Sequence, residues 1–97
     1  MILHSSELAE SNGRRPYELG GREVLVKHFV VRVTTPENPF KPHRHQQREL
    51  WYVVEGQAWV SLDGSEEVVQ AGDLVVIDPL VEHGLRTEGQ ATWVCLG

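Results

Sequence analysis

The sequence has 97 residues, enough for one compact domain, 1–97, and too few for two. Nine Lys and Arg against fourteen Asp and Glu leave a net charge of −5, which argues against a broad phosphate-binding face for nucleic acid. No apolar run approaches the roughly 20 residues that span a bilayer, and the first residues carry no signal-like apolar region, so a soluble, cytoplasmic protein with no membrane partner is expected.

Residues 1–21 are mixed and polar, with "SNGRRP" and "GG" as turn signals, and read as an N-terminal arm with little regular structure. A short strand near Met1–His4, or a helical turn opened by Ser5 or Ser6, is expected within it. From Arg22 the chain changes: "REVLVKHFVVRV" is rich in Val and Phe, without Gly or Pro, and predicts a strand covered on both faces. "TTPENPFKPH" holds Pro36, Pro39 and Pro42 and predicts an irregular connection. "RELWYVV" reads as the next strand, closed by a turn at Glu55-Gly56, and "QAWVSL" continues the meander. Asp63-Gly64, between "WVSL" and "EEVVQ", is a strong hairpin signal. "LVVID", a short strand after "PLVEHG" and "QATWVCL" complete the series.

Seven or eight short strands with frequent turns and no sustained 3.6-residue period predict an all-β fold of antiparallel strands, a sandwich or small barrel. The lone cysteine, Cys95, excludes an intrachain disulfide; its apolar surroundings favour a buried structural thiol over a reactive one.

The chemistry concentrates in "KPHRHQQRELWYVVEG". In a strand, i and i+2 share a face, so His43 and His45 point the same way, and Glu49 joins them if the strand continues through "QQR". Two imidazoles and a carboxylate on one face suit a divalent transition metal. A glutamate opening an apolar, buried strand is costly unless it is paired or coordinated. An HxH pair by itself is common surface decoration, so Glu49 carries much of the case. His83 stands beyond one hairpin and one further strand, from where it could close the site.

The stretch His43-x-His45-xxx-Glu49-xxxxxx-Gly56 resembles the first motif of the cupins, with every spacing met. Gly72-DLVVI-Asp78-Pro79-Leu80-VE-His83 is similar to the second, with Asp78 at a proline position and Leu80 at a glycine position. Glu37 replaces the first motif's opening glycine, and Thr87 stands where asparagine is usual. The resemblance spans residues 37–87 and implies a small jelly-roll β-barrel with His43, His45, Glu49 and His83 as ligands of one divalent transition metal: Mn, Fe, Co, Ni, Cu or Zn. Because Leu80 lacks glycine's freedom at positive φ, a turn of different path is expected there.

Around this site, Trp51 shares the parity of Glu49 and is either a pocket wall or core. His28 is either a pocket acid or base or a hydrogen-bonded core histidine, and Arg32, on the same strand face, is a candidate for an anionic group. The functional expectation is a small-molecule ligand handled at the metal, with Glu49 as ligand or proton acceptor. By resemblance the chemistry is that of a dioxygenase or a sugar-phosphate isomerase, with Arg32, Lys41, Arg44 and Arg48 as the local phosphate candidates. The alternative is a non-catalytic binder or sensor in which the metal is a docking point or a structural staple. A homodimer is expected because sheet edges and outward Val and Tyr need cover.

Overall fold

The computed structural model describes all residues, Met1–Gly97. Eight antiparallel strands follow in order: β1 (Ile2–Leu3), β2 (Phe29–Thr34), β3 (Phe40–His43), β4 (Glu49–Leu62), β5 (Ser65–Gln70), β6 (Leu74–Ile77), β7 (His83–Arg86) and β8 (Ala91–Leu96). A single 3-10 turn, Ser5–Glu7, follows β1, so the N-terminal arm holds both the strand and the helical turn that its sequence offered as alternatives.

The long strand β4 belongs to two sheets. Its first half pairs with β6 on one side and β8 on the other, giving the order β1-β6-β4-β8-β2. Its second half pairs with β5 and β7, giving β5-β4-β7-β3. The sheets roll together as the expected jelly-roll barrel. Between them lie Trp51, Val53, Val60, Val69, Val75, Ile77, Leu85 and Trp93. The rings of Trp51 and Trp93 sit 4.5 Å apart at the centre.

Three boundaries and one strand face differ from those expected. Glu55-Gly56 is no turn: β4 runs through it for 14 residues, with a register shift against β8 between Val53 and Glu55. The strand bends there from one sheet into the other, and Gly56 supplies the positive φ of 89°. The strand predicted over 22–33 starts only at Phe29, which pairs with Leu96 at the end of β8. Its outer face is also uncovered, with Phe29, Val31 and Val33 exposed. Finally, β3 lies within the proline-rich connection. It is an edge strand paired only with β7, and its register shifts between Phe40 and His43, around Pro42, which has no N–H to give. The Asp63-Gly64 hairpin forms as expected, with both residues at positive φ in the manner of a type I′ turn.

Candidate metal centre

His43, His45, Glu49 and His83 converge at one end of the barrel, though not by strand parity. His43 closes β3, Glu49 opens β4, and residues 44–48 form a bend that returns His45 between them. His83 opens β7 directly opposite His43 in the β3–β7 ladder. One ring nitrogen from each of His43, His45 and His83 lies within 4.8 Å of the others. Glu49 Oε2 approaches His45 Nε2 at 3.2 Å, and Oε1 lies 3.9 Å from His83 Nε2.

The hydrogen bonds around the rings decide which nitrogens are free. His83 Nδ1 lies 2.8 Å from the Val81 carbonyl and His43 Nδ1 lies 3.2 Å from that of Lys41. A carbonyl only accepts, so both rings carry their proton on Nδ1 and leave Nε2 with a bare lone pair. His83 Nε2 and both nitrogens of His45 are buried without any hydrogen-bond partner. Buried polar atoms are rarely left so, and one nitrogen of each of these two rings, with one of His43, lies in the group of three. Burial, together with the nearby His43 and His45, holds His83 below the usual imidazole range, so its neutral, ligating form is favoured. The donor set therefore fits a divalent transition metal.

The turn before His83 corrects one expectation. Pro79 and Leu80 occupy its central positions, the Val81 N–H reaches the Asp78 carbonyl at 3.3 Å, and Leu80 takes φ 66°. This is the type II pattern that normally asks for glycine, so the path is kept rather than changed. The Leu80 N–H donates to the His45 carbonyl at 2.8 Å and ties the two ligand-bearing loops together. Asp78, at the proline position of the second motif, accepts from Arg22 at 2.8 Å and Arg48 at 3.1 Å.

Beside the cluster opens a cleft of about 560 Å³, with His45, Glu49, His28, Lys27 and Arg48 on its walls. His28 thus reaches the cleft. Arg32 does not: its guanidinium lies over the rings of Phe40 and Trp93, 4.8 and 5.9 Å from their centroids. Trp51 is fully buried, hence no cleft wall; its indole N–H donates to Glu49 Oε1 at 3.0 Å and its ring lies 5.4 Å from that of His83. Cys95 is buried, as expected of a structural thiol, and its sulfur comes within 4.8 Å of the ligand atoms of Glu49 and His28, a proximity the sequence did not show. Its parity with Trp93 was readable, but only the pairing of β8 with β4, Trp51 opposite Cys95, brings it to Glu49.

The family model described as "Cupin domain" matches residues 29–97. Over 68 residues the chain is 29% identical to dimethylsulfoniopropionate lyase DddW of Ruegeria pomeroyi, covering 68% of this chain and 45% of that protein. The chain thus spans less than half the length of this curated relative. Among solved structures, an RmlC-like cupin from Shewanella frigidimarina is similar with a TM-score of 0.62 and 25% identity, over 70% of this chain and 63% of that one. A cupin 2 conserved barrel domain protein from Salinispora arenicola superposes with a TM-score of 0.63 at 24% identity, over 97% of this chain and 82% of that one.

Proposed function

From the premise that the chain belongs to the cupin domain family, we propose that it binds one divalent transition metal through His43, His45, Glu49 and His83 and acts on a small carboxylate in the adjoining cleft. The observation that carries this reading is the gathering of one ring nitrogen from each of His43, His45 and His83 within 4.8 Å, where His45 and His83 have buried nitrogens without a hydrogen-bond partner. A metal bound there supplies a Lewis acid that polarises a ligand oxygen and stabilises charge developing on it.

The chain's own residues do the rest. Trp51 fixes Glu49 through Oε1 and leaves Oε2 facing His45, the position from which it would hold the ion. Lys27 lines the cleft and makes no ion pair within the chain, so its charge is free to meet an anion. The phosphate candidates are poorly placed for a sugar phosphate. Arg48 is engaged by Asp78, Arg44 by Glu82, and Arg32 lies over Phe40 and Trp93. Similarity to a dimethylsulfoniopropionate lyase supports a carboxylate over a phosphosugar.

Metal analysis of protein purified without added metal is the first test. The wild type is expected to retain metal and His45→Ala to lose most of it; full retention in that variant would sink the site. A panel of small carboxylates, assayed in air and under argon, tests the reaction. Turnover independent of dioxygen supports lyase-type chemistry, whereas turnover only in air identifies a dioxygenase. Saturable binding without turnover identifies a binding module.

A further inference from the structure

Glu49 is shared by two clusters. On one side lie the three histidines. On the other, a nitrogen of His28, a carboxylate oxygen of Glu49 and the thiol of Cys95 all lie within 4.8 Å of one another. We propose that His28, Glu49 and Cys95 form a second, cleft-side site for a thiophilic divalent ion such as zinc, with Glu49 bridging it to the ion of the proposed histidine site.

Three features of the fold support a built site. First, the ligands come from three separate segments held in fixed register. Cys95 lies on β8 opposite Trp51, Glu49 opens β4, and His28 is drawn in because the Gly97 N–H donates to its carbonyl at 3.3 Å. Second, Gly97 lies so close that a Cβ there would stand 2.9 Å from both the Arg48 carbonyl oxygen and Glu49 Cγ, so the backbone is packed closely against Glu49 at this corner. Third, His28 and Glu49 are on the wall of the open cleft while Cys95 is buried behind them. An ion can therefore enter from solvent and keep a position facing the cleft.

The donor chemistry differs from that of the first site. Thiolate, imidazole and carboxylate with one open position suit zinc and other borderline-soft ions. Binding requires the Cys95 S–H bond to break, with sulfur keeping the electron pair to bond the metal and the proton leaving to solvent. With both sites filled, Glu49 would lie between two cations, which together would supply more charge stabilisation to an anionic ligand in the cleft than one. This inference rests on the proposed histidine site only for the bridge; the thiol-containing cluster has its own signature.

Titration of metal-free protein with cobalt(II) provides the test. The expected result is two ions per chain, a thiolate-to-cobalt charge-transfer band in the near ultraviolet, and release of a proton as the band grows. Cys95→Ser should abolish the band and one ion. His28→Ala, at an exposed position that leaves the core untouched, should weaken the band-forming ion by more than about tenfold. His43→Ala should lose the other ion and keep the band. One ion per chain with no band overturns this proposal and leaves the histidine site standing. A band-forming ion alone, with none lost on His43→Ala, overturns the bridge and the histidine site together.

Discussion

Leu80 carries a conformation that its side chain does not favour. At φ 66° it fills the third place of a type II turn, and its side chain is more than half exposed, so little packing repays the strain. Leu80→Gly is expected to stabilise the fold by about 1 kcal/mol, a rise in Tm of roughly 4–8 °C for a domain of this size. An unchanged or lower Tm would show that this turn is not strained. Cys95 offers a second test at this scale. Burial, reinforced by the negative charge of Glu49, pushes its thiol up to about 11, so at pH 8 it is almost wholly protonated. Metal-free native protein is expected to leave a thiol reagent unreacted at pH 8 and to react fully once unfolded in denaturant. Of these residue-scale features, the set His43, His45, Glu49 and His83 came from the likeness of its two motifs to those of cupins; the shared strand face expected from spacing did not form, because β3 ends at His43 and β4 begins at Glu49. The nearness of Cys95 to Glu49 was not legible, because it depends on the register between strands far apart in the chain.

Strand β4 shows what an element needs beyond its own sequence. "ELWYVV" and "QAWVSL" each read as strands, and the intervening Glu55-Gly56 as a turn. The structure instead joins them, since each half finds a ladder on both sides and only a bend is needed to pass between sheets. Local composition signals a break in regularity at Gly56 but cannot tell a reversal from a bend; the partners decide. A Cβ at Gly56 would meet the Gln90 carbonyl oxygen at 2.2 Å, and the positive φ adds strain. Gly56→Ala should therefore cost more than about 2 kcal/mol, readable as a lower denaturant midpoint. The N-terminal strand makes a different prediction. His4 Nδ1 lies 3.1 Å from Asp73 Oδ2, and Nε2 contacts Glu67, which together pin β1 and the following turn to the barrel. These bonds, first that to Glu67 and then that to Asp73, raise the His4 pKa above its usual value. Folding thus binds the proton more tightly than the unfolded chain does. The stabilisation is complete below about pH 6.5 and is lost as pH rises through the higher folded value. His4→Ala is expected to cost about 1 kcal/mol at pH 5.5 and markedly less at pH 9, measured by denaturant unfolding at both. An equal cost at both values would show that the clamp is not ionic.

The whole barrel has one side that the chain leaves open. Strand alternation put Trp51 and Val53 on the face of Glu49, which is the inward one, but "VVRV" is apolar on both faces and does not say which face a neighbour covers. In the structure the N-terminal arm covers only part of the outer surface of the β1-β6-β4-β8-β2 sheet. Tyr17 lies edge-on to Tyr52 at 6.2 Å and donates its hydroxyl to the Gly72 carbonyl, both near the β4–β6 side. On the β2 side Phe29, Val31 and Val33 remain 63%, 60% and 49% exposed. The register extends this face into the sheet, since Phe29 lies beside Leu96 and Val31 beside Val94. Leu50 and Tyr52 continue the same rows on β4. An exposed apolar row of this kind is costly to leave in water. We propose that a second copy of the chain covers it, with the two β2 strands near a two-fold axis. Sedimentation at micromolar concentration is expected to give about 22 kDa, twice the 11.0 kDa of one chain. Val31→Glu should convert this to a folded monomer, because Val31 is exposed within the chain and a charge there meets only the partner. A wild-type monomer of 11.0 kDa, or a Val31→Glu variant that still sediments as a dimer, would exclude this face as the interface.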